Sequence, residues 1–106
     1  MSIQTTLQSI TQHRGIPAVY SHFKDDISVN PPFLAYIGSG QNQFNGENTI
    51  YWRENTYTVE FYFDKKDEAL EKSIEDALLS DGFRFTKSED VFIESEGVFV
   101  IYYYIN

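Results

Sequence analysis

Cysteine is absent from the 106 residues, which excludes disulfides and thiolate metal sites and suits a reducing compartment. Basic residues are scarce: 8 Lys and Arg stand against 16 Asp and Glu, a net charge of −8. Affinity for nucleic acid comes mostly from Lys and Arg displacing counterions, so this balance opposes binding to a phosphate backbone. Long apolar runs are missing too. The longest, Val98 to Ile105, spans eight residues, where a bilayer-crossing helix needs about 20. Met1-Ser2-Ile3-Gln4 lacks the basic start and apolar run of a signal peptide. A soluble, cytoplasmic protein with no membrane contact is the expectation.

Catalytic signatures are equally thin. His13 and His22 are the only histidines and have no H-x-x-E or H-x-x-x-H spacing around them, short of the four ligands of a zinc site. No G-x-S-x-G elbow, P-loop or G-x-G-x-x-G occurs, and Gly38-Ser39-Gly40 is followed by no helical pattern. Glu94 and Glu96, two apart on one expected strand face, and Asp25-Asp26 are paired carboxylates. Glycoside hydrolysis would also need a sugar-sized cleft, which a chain of this length rarely provides. Catalytic, cofactor and metal residues are therefore expected to be none.

Aromatic residues are abundant, at 17% of the chain, and a buried tyrosine hydroxyl needs a partner. Some of the eight tyrosines should line a contact surface. Within Ile50 to Asp64, Tyr57, Val59, Phe61 and Phe63 alternate with Thr58, Glu60 and Tyr62, a period of two. A helical period follows, with Leu70, Ile74, Ala77 and Leu78 turned inward, Asp64 or Asp67 as N-cap and Gly82 at the end. Glu68 with Lys72 and Lys72 with Asp76 make opposite-charge pairs on its wet side.

Upstream, Ser2 is placed to cap a helix from Ser2 to His13 with Ile3, Leu7 and Ile10 on one stripe, ended by Gly15. Short strands are expected over Ala18 to Phe23 and, after Pro31-Pro32, over Phe33 to Ile37. Gly38 to Asn48 carries three glycines, three asparagines and one large apolar residue, Phe44, and reads as a long mobile hairpin loop. It is either a connector or an arm that orders against a partner. Phe83 to Thr86 and Val91 to Ile105 close the sheet, with Gly97 a bulge or turn. The expected fold is a single α+β domain over residues 1–106, a mostly antiparallel sheet of four to five strands with two helices on it.

Gly15-Ile16-Pro17 leading to a tyrosine, Pro31-Pro32-Phe33 with Tyr36, the Asn48 to Tyr51 strand start, Phe61-Tyr62-Phe63-Asp64-Lys65-Lys66-Asp67 running into a helix, and Ile93-Glu94-Ser95-Glu96 occur in this order. Together they resemble a family of small minor tail proteins of long-tailed bacteriophages and of prophages in Gram-positive bacteria. The layout is similar to that of tail terminators and tail-completion proteins. The resemblance implies a non-enzymatic ring subunit, sixfold in the typical case, that caps the tail tube and joins tail to head. Its partners would be itself, the tail-tube protein and the head-completion or connector protein. It would be found in the host cytoplasm and then in the virion tail.

Aromatics on or beside the long hairpin, Tyr36, Phe44, Tyr51 and Trp52, are the expected interface residues. An acidic inhibitor or DNA mimic acting on a basic protein is the alternative, and a small enzyme or ligand binder using Glu94, Glu96 and Trp52 a third. Because no basic run offsets the acidic charge, the chain should fail to shift duplex DNA at physiological salt. Gel-shift titration checks this, and a salt-sensitive complex would overturn the charge argument.

Overall fold

The computed structural model describes residues 2–21, 30–46 and 49–105, with side chains described outside 41–54. Helix α1 (Ile3–Arg14) starts where Ser2 Oγ accepts from the Thr5 amide at 3.1 Å and stops at Gly15, whose left-handed φ of 71° lets its amide reach the Thr11 carbonyl. Strand β1 (Ala18–Tyr20) follows, then β2 (Phe33–Gly46), β3 (Thr49–Phe63), helix α2 (Glu68–Ser80), β4 (Phe85–Lys87), β5 (Val91–Ile93) and β6 (Val98–Ile105). Asp67 caps α2 by accepting from the Leu70 amide at 3.0 Å.

The six strands form one mixed sheet in the order β1-β2-β3-β6-β4, with β5 also on β6. All ladders are antiparallel except β1 with β2. Both helices cover one face. Ile3, Leu7 and Ile10 of α1 and Ile74 and Leu78 of α2 pack on Leu34, Val59, Phe61, Phe63, Ile101, Tyr103 and Ile105 in a single core. Across the helices, Thr6 Oγ1, itself buried, donates to Asp81 at 2.5 Å.

The α+β expectation holds, with six strands rather than four to five. Four local expectations change. First, Gly38 to Gly46 is not a loop: it is the outer part of β2, paired residue by residue with β3 from Gly38 opposite Tyr57 to Gly46 opposite Thr49. Thr49, Ile50, Tyr51, Trp52 and Thr56 favour a strand, and a partner of that kind supplies the pairing that a Gly- and Asn-rich segment cannot generate alone. Glu47 and Asn48, the remainder of that segment, lie outside the described residues, as does the His22 and Phe23 end of the first expected strand.

Second, Val91 to Ile105 divides at a turn over Glu94 to Gly97, where the Glu96 and Gly97 amides both reach the Ile93 carbonyl. Third, β4 is Phe85–Lys87, starting two residues after the expected Phe83 and ending one past the expected Thr86. Fourth, Leu70, Ile74, Ala77 and Leu78 do face the core, Leu70 and Ala77 only half-buried, but Glu71, outside the expected inward set, is buried with them.

Strand β6 accompanies β3 only from Tyr57 to Phe63. Beyond Tyr57, β2 and β3 continue as a two-stranded arm, and the molecule measures 51 Å along its long axis against 27 and 26 Å across. A register shift between Gly38 and Gly40 marks the root of the arm. There the φ of Gly40 is 129° and the Ser39 hydroxyl donates to Thr56 Oγ1 at 3.0 Å. Such a bulge increases local twist and redirects the strands.

Since Ile74 and Leu78 are fully buried, truncating either to Ala should cost about 2–5 kcal/mol, and Leu70→Ala less. Denaturant unfolding of the three variants checks this ranking. Equal losses would mean that α2 is rotated from the packing described.

Candidate functional site

Alternation along the strands puts 33, 35 and 37 of β2, 58, 60 and 62 of β3 and 100, 102 and 104 of β6 on the face away from the helices. Glu60 stands in the middle, opposite Ala35 on one side and Tyr102 on the other. Tyr62 stacks on Phe33 with centroids 4.7 Å apart, and Tyr102 stacks on Tyr104 at 6.1 Å. The Tyr62 hydroxyl donates to Glu60 Oε1. Tyr104 is 46% exposed and Ile37 40%, while Ala35 and Val100 are buried.

Burial, reinforced by the Glu60 hydrogen bond and charge, holds the Tyr62 phenol well above its ordinary range. Burial and the Glu60 charge raise Tyr102 in the same direction. The face is thus apolar in its rings and negative at its centre. Among the described residues Glu60 has no cationic partner.

The expected interface aromatics separate. Tyr36 lies on the helix side of the sheet, half-buried against the core and in edge contact with Tyr20 at 5.2 Å and Tyr57 at 6.4 Å. Phe44, Tyr51 and Trp52 are in the arm, with Phe44 and Trp52 in register opposite each other; their side chains lie outside those described. The outer-face tyrosines went unremarked as a group in the sequence. The 58/60/62 alternation marks one strand of that face, but the pairing with 102 and 104 depends on a register that sequence alone does not give.

A second charged group sits on the helix side. Glu71 is only 3% exposed, on the core side of α2. Its Oε1 accepts from Lys66 at 3.1 Å and Lys87 at 3.0 Å, and Oε2, which accepts no hydrogen bond, lies 2.9 Å from Lys66. Lys66 also reaches Asp90 at 3.0 Å, Lys87 reaches Glu75 at 2.7 Å, and Tyr103 donates to Glu75 at 2.9 Å. This network ties α2 to β4, β6 and the loops on either side. With each cation shared between two carboxylates, it neutralises buried charge rather than poising a group for proton transfer.

The other residues singled out in the sequence lie apart from one another. Glu94 and Glu96 are exposed in the β5–β6 turn rather than on a strand face. His13 Nδ1 is 2.8 Å from the carbonyl oxygen of Ser9 in its own helix, and His22 lies outside the described residues. Among the described residues no group of three or more His, Cys, Asp and Glu is placed to hold a metal ion. No described helix is long and apolar enough to cross a membrane.

The charged network predicts an alkaline limit. Hydrogen bonding to Glu71 raises Lys66; burial pulls Lys87 down, but its bonds to Glu75 and Glu71 outweigh this and leave it raised. Burial and Glu75 raise Tyr103. Each group holds its proton more tightly folded than unfolded, so their contribution is present at neutral pH and is lost as pH climbs beyond about 10. Urea unfolding between pH 7 and 11 should show stability falling at the alkaline end. The double variant Lys66→Gln/Lys87→Gln should show a shallower fall; an unchanged slope would mean that the network does not persist in solution.

No family model and no curated protein matches the chain, so its function is argued from the geometry above.

Proposed function

We propose that the chain is a non-enzymatic assembly subunit that forms a ring at the end of a bacteriophage tail, closing the tube and offering the surface to which the head joins. The observation that carries this reading is the arm. Residues 38–46 and 49–56 extend beyond the strands that flank the rest of the sheet and pair with each other. A two-stranded ribbon is at best marginally stable in water, so an arm of this length gains support when it lies on another molecule. Arm and outer sheet face are different surfaces of one subunit, which is what head-to-tail contact around a ring requires. The resemblance of the motifs to minor tail proteins of long-tailed phages and prophages suggests the setting: the tail tube to be capped, the head-completion protein as the later partner, and six subunits as the typical count.

The structure favours this reading over an acidic DNA mimic. A mimic displays unpaired carboxylates in rows, whereas Glu71, Glu75 and Asp90 are taken up by Lys66 and Lys87, and Asp76 by Lys72 at 2.7 Å.

Phe44 is the one large apolar residue of the otherwise polar stretch 38–46 of β2, and aromatic anchors carry most of the energy of many interfaces. Phe44→Ala should leave the melting temperature nearly unchanged and weaken ring formation, read by native mass spectrometry with and without tail tubes. A phage carrying the substitution should accumulate separate heads and tails, or tails of irregular length. Normal particles and unaltered assembly would overturn the role of the arm.

A further inference from the structure

Glu60 is a carboxylate without a cation partner among the described residues. It is half-buried at the centre of the outer face, with Oε1 taken by the Tyr62 hydroxyl. Tyr62 donates to it, Tyr102 is its cross-strand neighbour, and Tyr104, opposite Thr58, stacks on Tyr102; tyrosine ring faces beside a carboxylate suit a guanidinium, with its charge over a ring and its fork toward the carboxylate.

The chain holds a cation suited to that position. Between residues 25 and 64 the only Lys or Arg is Arg53, and it falls in the arm, opposite Gln43 on the neighbouring strand. Arg53 cannot serve Glu60 of its own subunit, because both belong to the continuous strand β3 and seven residues of extended chain separate them by roughly 23 Å. Arg53 can therefore meet a Glu60 only in another copy. A net charge of −8 per subunit makes such local complementarity the more necessary, since two acidic surfaces repel until opposite charges are brought together.

We propose that the arm of one copy lies across the outer sheet face of the next, with Arg53 of the first paired to Glu60 of the second between Tyr62, Tyr102 and Tyr104. The contact rests on the ring reading and specifies it: the arm is the donor surface and the helix-free face the acceptor. It is heterologous, so each subunit gives one arm and receives one. It also accounts for tyrosine rather than phenylalanine around Glu60, since each ring offers an apolar face to the incoming side chain and a hydroxyl to water or carboxylate.

A charge exchange tests it on the full chain. Glu60→Arg and Arg53→Glu should each weaken self-association by about tenfold or more, read by native mass spectrometry and sedimentation, and the double variant should recover it. Raised salt should weaken the wild-type oligomer in the same assay. Glu60→Gln, which keeps a hydrogen-bond acceptor for Tyr62, provides the measurement should Glu60→Arg fail to fold, and it too should weaken association. Single variants that associate like the parent, or a double variant that stays as weak as the singles, would overturn the contact. If Phe44→Ala disrupts assembly while Glu60→Gln does not, the ring reading stands and this contact is wrong. If the parent remains monomeric even with tail tubes, both fall together.

Discussion

Strand β3 is the member on which the rest of the molecule depends, because it does two jobs along one continuous backbone. From Tyr57 to Phe63 it is flanked on both edges, by β2 and by β6, and its inward side chains Val59, Phe61 and Phe63 lie under the helices. From Thr49 to Thr56 its partner among the described residues is β2 alone. The anchored half is rigid because every second residue is buried and both backbone edges are paired. The projecting half inherits its direction from that anchoring, and the bulge at Ser39 sets the angle at which it leaves. An arm grown from a central strand is aimed by the core itself, whereas one hung from a terminal segment would be aimed by a flexible joint.

The remaining elements serve to hold that strand. Tyr103 on β6 is fully buried behind β3, yet its hydroxyl must find a partner, and Glu75 of α2 provides it. Glu75 in turn shares Lys87 with Glu71, and Glu71 shares Lys66 with Asp90. Apolar packing through Ile74 and Leu78 supplies the larger energy for docking α2, because burial of aliphatic side chains outweighs partly exposed ion pairs. The ionic chain contributes position. It fixes the rotation of α2 about its axis, since a turn that exposed Glu71 would also withdraw Ile74.

Much of this was legible in the sequence. The Ser2 cap, the Gly15 stop, the stripe of Ile3, Leu7 and Ile10 and the alternation around Phe61 follow from local rules and appear where those rules place them. The arm was not legible, for a physical reason. A stretch such as Gly-Ser-Gly-Gln-Asn-Gln has no strand tendency of its own, and its conformation is dictated by Thr49 to Thr56, which lie on the far side of a turn. Glu71 was hidden in a similar way: its position on the helical wheel beside Ile74 and Leu78 was visible, but a carboxylate is tolerated there only because Lys66 and Lys87 converge on it, and that convergence is tertiary. The outer face was half legible, since Glu60 and Tyr62 alternate plainly while Tyr102 and Tyr104 join them through the β3–β6 register.

If, as proposed, the arm of one copy lies on the outer face of the next, donor and acceptor stand on one strand, and this has a mechanical consequence. Glu60 and the arm share the backbone of β3, so a load applied to the arm is carried directly into the segment whose outer side forms the face. In the proposed ring, force from one neighbour would pass along paired backbone to the other without crossing a hinge or a loop. In an antiparallel ladder the hydrogen bonds act across the strands, so pulling along β3 loads all the bonds to β2 and β6 in parallel, a much stiffer arrangement than peeling them one at a time. The proposed contact would therefore be loaded through a strand that is bonded on both sides from Tyr57 to Phe63.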